Sequence, residues 1–221
     1  YGDVYGGGEN GHVLSNTDVK VLGTASVGIL ANNNGCTTTF DGNVFGGGWG
    51  SGYYEIDNTG SVPDTIAFHI YEDCGRVGGN TNVTMSGGAI QGTIFGGGRL
   101  ALVGVDSIGH PYITTGQVYD SISNHGLATI NVSGGSIGNP VGDTLLNGSD
   151  ESVGDIFGSG KGDIKNYDNI LAGRVANAKI NVSGNPRIYG SVFGGGEMAS
   201  VGYWHEVNGK QVFYANSGAT E

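Results

Sequence analysis

Apolar and polar residues alternate along this chain in phrases that recur. Val83-Thr-Met-Ser-Gly-Gly-Ala-Ile90 and Ile130-Asn-Val-Ser-Gly-Gly-Ser-Ile137 each set two apolar residues around a polar one, then a glycine pair and another aliphatic. Shorter versions stand at Ile180-Asn-Val-Ser-Gly184 and Val19-Lys-Val-Leu-Gly23. A period of two predicts strands buried on one face. No stretch carries a 3.6-residue apolar period with caps, so almost no helix is expected. A second phrase follows, an aliphatic and an aromatic before a glycine triplet: Gly2-Asp-Val-Tyr-Gly-Gly-Gly8, Gly42-Asn-Val-Phe-Gly-Gly-Gly48, Gly92-Thr-Ile-Phe-Gly-Gly-Gly98, Gly154-Asp-Ile-Phe-Gly-Ser-Gly160 and Gly190-Ser-Val-Phe-Gly-Gly-Gly196. A third, Arg99-Leu-Ala-Leu-Val-Gly104 and Glu197-Met-Ala-Ser-Val-Gly202, alternates again.

Self-similarity of this kind predicts an array in which each copy is one rung stacked on the next. One rung reads as three short strands between glycine corners: the V-x-V phrase, a strand from the following Ile to the aromatic, and the A-x-V phrase. Corners need positive φ, which glycine adopts at least expense. Tyr5, Phe45, Phe95, Phe157 and Phe193, with Gly6, Gly46, Gly96, Gly158 and Gly194, are therefore read as structural repeat positions. The rings should stack at the strand spacing of about 4.8 Å. Strict alternation would point them outward, where they could hold sugar rings or a protein. Burial at a bend is favoured, because five exposed rings in a row would invite aggregation.

The first triplet glycines stand 40, 50, 62 and 36 residues apart. Compact phrases with variable spacing imply a single array over residues 1–221, of about four to five rungs, with the excess leaving as loops near 32–41, 50–80, 105–126, 139–153 and 164–177. The fold class is all-β. These phrases resemble those of the right-handed parallel β-helix, the pectin-lyase-like architecture, and more narrowly the glycine-rich repeat segments of large bacterial cell-surface and secreted proteins. The resemblance implies a structural or adhesive, non-enzymatic role in an extracellular surface or fibre protein. A β-prism is the rival fold. It would need antiparallel hairpins in about three equal units, and the copies here are more numerous and unequal.

Composition narrows the function further. Glycine supplies 46 residues without a Gly-X-Y period, which excludes collagen. Charged residues are 13% and the net charge is −11, with no basic stripe, so nucleic acid is not an expected partner. No apolar run reaches membrane-spanning length. Cys36 and Cys74 sit in polar turns and match no zinc or redox spacing, leaving a disulfide or two free thiols as equal readings. Tyr53, Tyr54, Tyr112 and Tyr119 are the insert aromatics that could face a ligand.

Acids cluster at Glu55 and Asp57, at Glu72 and Asp73, and at Asp150, Glu151 and Asp155. Calcium is the one cofactor they bring into consideration. Solvated loop charge is the preferred reading, so no cofactor is expected. His12, His69, His110, His125 and His205 are scattered, and no catalytic residue is assigned. A glycan-binding module or a polysaccharide lyase or hydrolase on the same fold is the runner-up. Asn82, Asn131 and Asn181 fall at similar points of the V-x-V strands and should form an amide ladder. The sequence opens inside a repeat phrase and is still strand-like at Lys210-Gln-Val-Phe-Tyr214, with no capping segment at either end. Expected partners are therefore further repeats of a longer chain or a second copy stacked end to end, with glycans or a host surface beside them.

Overall fold

The structure, a computed structural model, describes residues 2–28, 42–57, 59–60, 64–71, 73–104, 126–138, 154–162, 172–207 and 210–214. Regular structure among them is entirely β, without helix. The strands in chain order are β1 (Val4–Tyr5), β2 (Thr17–Val21), β3 (Ser26–Val27), β4 (Val44–Phe45), β5 (Gly52–Asp57), β6 (Asp64–Ile70), β7 (Thr81–Ile90) and β8 (Ile94–Phe95). They continue as β9 (Leu127–Ile137), β10 (Ile156–Phe157), β11 (Asn177–Val182), β12 (Arg187–Ile188), β13 (Val192–Phe193), β14 (Tyr203–Val207) and β15 (Lys210–Tyr214).

The repeated phrases pair with one another in parallel. The aliphatic–aromatic strands form one sheet in the order β1-β4-β8-β10-β13, and the V-x-V strands a second in the order β2-β7-β9-β11. In both, copies that neighbour in sequence neighbour in space. Register follows the phrase: Tyr5 pairs with Phe45, Phe45 with Phe95, Phe95 with Phe157 and Phe157 with Phe193. Single parallel bridges add two more columns, Glu9–Trp49–Arg99–Lys161–Glu197 and Val13–Val77–Val103–Val175–Val201. The antiparallel hairpins that a prism requires within the repeat phrases are absent among the described residues. The two antiparallel pairs present, β5 with β6 and β14 with β15, lie outside the phrases.

Strand boundaries differ from the sequence expectation. In β7 and β9 the V-x-V phrase and the Ile after it lie in one strand, and after β7 the corner falls at residues 91–93 rather than at the Ser-Gly-Gly. Gly88 (φ 81°) and Gly135 (φ 85°) take left-handed conformations there. They absorb a register irregularity between β7 and β9 instead of turning the chain. The span 50–80 is also not all loop: it holds the β5–β6 hairpin, and Val77 rejoins a column. Val175 does the same within 164–177. The spans 32–41 and 139–153, and nearly all of 105–126, lie outside the described residues.

Three apolar stacks follow from the columns. Val19, Val21, Val83, Met85, Ile90, Ile130, Val132 and Ile137 bury together with Val44, Ile94 and Ile156. Val77, Val103, Ala128 and Val175 make a second stack, and Phe45, Phe95 and Phe157, with Tyr5 packed on them, a third. Val44 and its neighbour Phe45 are both fully buried, in different stacks. A two-residue strand between glycine bends permits this, where a longer strand would send alternate residues to opposite faces. Centroids of successive rings lie 4.7, 4.6, 5.4 and 4.9 Å apart from Tyr5 to Phe193, nearly parallel throughout.

The glycine triplet has a steric cause. Its first member faces the following copy: a Cβ on Gly46, Gly96 or Gly158 would collide with the carbonyl oxygen of Gly96, Gly158 or Gly194 respectively. Its third member faces the preceding copy: a Cβ on Gly98 would stand 2.6 Å from the Gly48 oxygen, and one on Gly196 2.7 Å from the Gly160 oxygen. Polar side chains then lock the register. Asp3 Oδ1 accepts from the Asn43 backbone N–H (2.8 Å), Asn43 Oδ1 from Thr93 (2.9 Å), Thr93 Oγ1 from Asp155 (3.4 Å) and Asp155 Oδ1 from Ser191 (2.5 Å). The side-chain amides form their own series: Asn82 donates to Asp18 (2.7 Å), Asn131 to Asn82 (3.1 Å) and Asn181 to Asn131 (2.7 Å).

Candidate functional site

A cluster of exposed aromatics lies on the β5–β6 hairpin. Gly50 donates to the Arg99 carbonyl (2.8 Å), and Tyr71 N–H closes the hairpin base on the Ser51 carbonyl (2.9 Å). The hairpin therefore springs from the Trp49 column. Tyr53 lies opposite His69, and Tyr71 follows two residues later on the same face. Tyr53 stacks on the His69 ring at 5.1 Å and meets Tyr71 at 5.4 Å. His69 Nε2 stands 3.0 Å from Glu55 Oε2. Tyr53, Tyr54, Ile56 and Tyr71 are all exposed. By alternation Tyr54 sits on the opposite face from Tyr53. Aromatic faces beside an acceptor carboxylate and an imidazole suit a ligand with apolar C–H faces and hydroxyl edges.

In the sequence these residues stand apart, Tyr53 as an insert aromatic, Glu55 as a loop acid and His69 as one of five scattered histidines. The period of two in His69-Ile-Tyr71 was the available signal for their common face. Tyr112, Tyr119, His110, His125, Glu72, Asp150, Glu151 and Cys36 lie outside the described residues, as do the side chains of Asp57 and His205. Cys74 is a half-buried free thiol among the described residues. Asp73 pairs with the buried Arg76 guanidinium. Asp155 serves the register lock, and His12 is exposed. No cluster of three or more His, Cys, Asp or Glu that could hold a metal occurs among the described residues.

A second polar cluster flanks the ring stack. Arg99 lies over the Trp49 ring at 4.9 Å, Trp49 stacks on Tyr5 at 5.7 Å, and Tyr5 donates to Asp3 Oδ2 at 3.2 Å. Burial pushes the Tyr5 phenol well above its ordinary value, and the Asp3 carboxylate adds to the push against the opposing Arg99. Farther along, Lys161 and Glu197 pair at 3.3 Å with little exposure. Lys161 and Glu197, successive members of one column, thus pair opposite charges between neighbouring layers. Comparison with protein-family models, with curated proteins and with solved structures gives no match for this chain.

Proposed function

We propose that this chain is a segment of right-handed parallel β-solenoid in an extracellular bacterial surface or fibre protein, acting as a stiff, non-catalytic scaffold that displays its inserts. One observation carries the reading: four columns of equivalent residues pair in parallel and in copy order while the intervening segments differ in length. Such an array resists extension through backbone bonds between layers and tolerates insertions without loss of register. Right-handedness follows the general rule for crossovers between parallel strands. The sparse charge and the resemblance to glycine-rich surface repeats support the extracellular setting.

Glycan binding at the β5–β6 hairpin is the second reading, favoured by the Tyr53–His69–Tyr71 stack and the Glu55 contact. The two combine naturally, the array carrying and the hairpin contacting. The test incubates the purified chain with a panel of plant, bacterial and host polysaccharides and assays released ends, alongside glycan-array binding. The scaffold reading expects no product from any substrate. Turnover of one would overturn it in favour of an enzyme. Array binding lost in Tyr53→Ala would establish the hairpin as a contact surface.

A further inference from the structure

The last layer of the array, residues 190–202, keeps a glycine that no contact among the described residues explains. Gly6, Gly46, Gly96 and Gly158 must be glycine because the next copy's backbone occupies the space of a Cβ. Gly194 holds the equivalent position with nothing within 4 Å of its would-be Cβ and no left-handed φ. Any small residue would fit there in the chain by itself. The same edge exposes apolar column residues: Val182, Val192, Phe193 and Val201 are between 42% and 48% exposed. Their counterparts one layer in, Val132, Ile156, Phe157 and Val175, are buried, and so are Val19 and Val21 at the opposite edge.

We propose that this edge docks a further parallel layer of the same phrase, aliphatic–aromatic–glycine, carrying an amide opposite Asn181 and a side chain other than an acid opposite Glu197. The proposal rests on the solenoid reading. The ring of the incoming layer continues the stack from Phe193, and its corner backbone fills the space at Gly194. The amide series sets the first polar requirement. Each Asn gives its Nδ2 to the layer before it, so Asn181, already donating to Asn131, turns its Oδ1 to the next layer and needs a donor there. The charge column sets the second. Glu197 is matched by Lys161, and another carboxylate one strand spacing away in that half-buried place would be repelled.

The first layer of this same chain meets neither requirement. It would bring Asp18, which has no proton to donate, to Asn181, and Glu9 to Glu197. The occupant is therefore a further repeat with a different polar pattern, and a second copy of this chain is discriminated against by charge.

Two exposed substitutions convert the first layer into the required partner, Glu9→Lys and Asp18→Asn. Sedimentation velocity over a concentration series is expected to show the wild type without head-to-tail association and the double variant stacking. Gly194→Val added to the double variant should weaken that stacking by at least about tenfold. Equal association of wild type and double variant, a double variant that stays monomeric, or association indifferent to Gly194→Val would each overturn the proposal. Gly46→Val separates this from failure of the underlying reading. If it melts like the wild type, the solenoid itself is wrong. If it collapses while the double variant stays monomeric, only the docking edge is wrong.

Discussion

Replacing one ring of the aromatic stack separates an interior layer from an edge layer. Phe95 is fully buried between Phe45 at 4.6 Å and Phe157 at 5.4 Å. Truncation of a buried Phe to Ala costs about 3–5 kcal/mol, cavity included. Each lost ring pair contributes about 0.5–1.5 kcal/mol beyond area. With two pairs lost and backbone packed tightly around the stack, Phe95→Ala should fall near the top of that range. Phe193 is 45% exposed and stacks on one ring only, Phe157 at 4.9 Å. Half the area and one pair leave about 1–2 kcal/mol for Phe193→Ala. For a chain of this size each kcal/mol moves the melting temperature by about 2–4 °C, so the interior variant should lose at least about 8 °C and the edge variant about half of that or less. Urea titration followed by circular dichroism, with calorimetry beside it, measures both. Equal losses at Phe95 and Phe193, or a loss at Phe95 below about 1 kcal/mol, would show that the rings do not form a buried continuous stack.

Other outcomes follow from the same geometry. Gly46→Ala should destabilise by about 2 kcal/mol or more through overpacking, whereas Gly194→Ala should melt like the wild type. Because burial raises the folded-state value of Tyr5, its stabilising effect is present below the unfolded phenol value of about 10 and is lost as pH rises through the folded value. Ultraviolet titration should show one phenol that ionises well above the ordinary tyrosine value, and Tyr5→Phe should remove it. The Lys20 and Asn82 contacts hold the Asp18 carboxyl below its usual range, so their contribution is full at neutral pH and disappears as pH falls through the lowered value. A carboxyl-carbon NMR titration should give Asp18 a midpoint under the ordinary aspartate value. Tyr53→Ala and His69→Ala, on an exposed hairpin face, should leave the melting temperature within a few degrees and act only on ligand contact.

Repetition made most of the framework legible. The alternation at Val83–Met85 and Ile130–Val132 identified an inward face because a one-residue slip would expose the whole set. Val182 carries the same pattern yet is exposed, since it lies in the edge strand β11 and the pattern of one strand does not reveal its place in the sheet. The aromatic positions were legible as a stack, and the cost of five exposed rings favoured their burial although strict alternation argued for the outward side. Period-two logic fails when a strand has only two residues, and Val44 and Phe45 turn to different stacks. The series Asp3, Asn43, Thr93, Asp155 and Ser191 looked irregular when read as charge. Read as short side chains with an oxygen, it is uniform, and in the first four that oxygen accepts from the backbone N–H of the next copy. The Tyr53–His69–Tyr71 face was hidden because it depends on hairpin register, which turn geometry sets and composition does not.

Methyl-resolved nuclear Overhauser spectroscopy of the isoleucine, valine and methionine side chains tests the parallel, copy-ordered stacking most directly. The account predicts cross-peaks linking Val19 to Val83, Val83 to Ile130 and Ile130 to Ile180, with a second series from Val13 through Val77 and Val103 to Val175. Cross-peaks that instead join Val83 or Met85 to Ile94 as cross-strand neighbours of an antiparallel hairpin, with the copy-to-copy series missing, would contradict it.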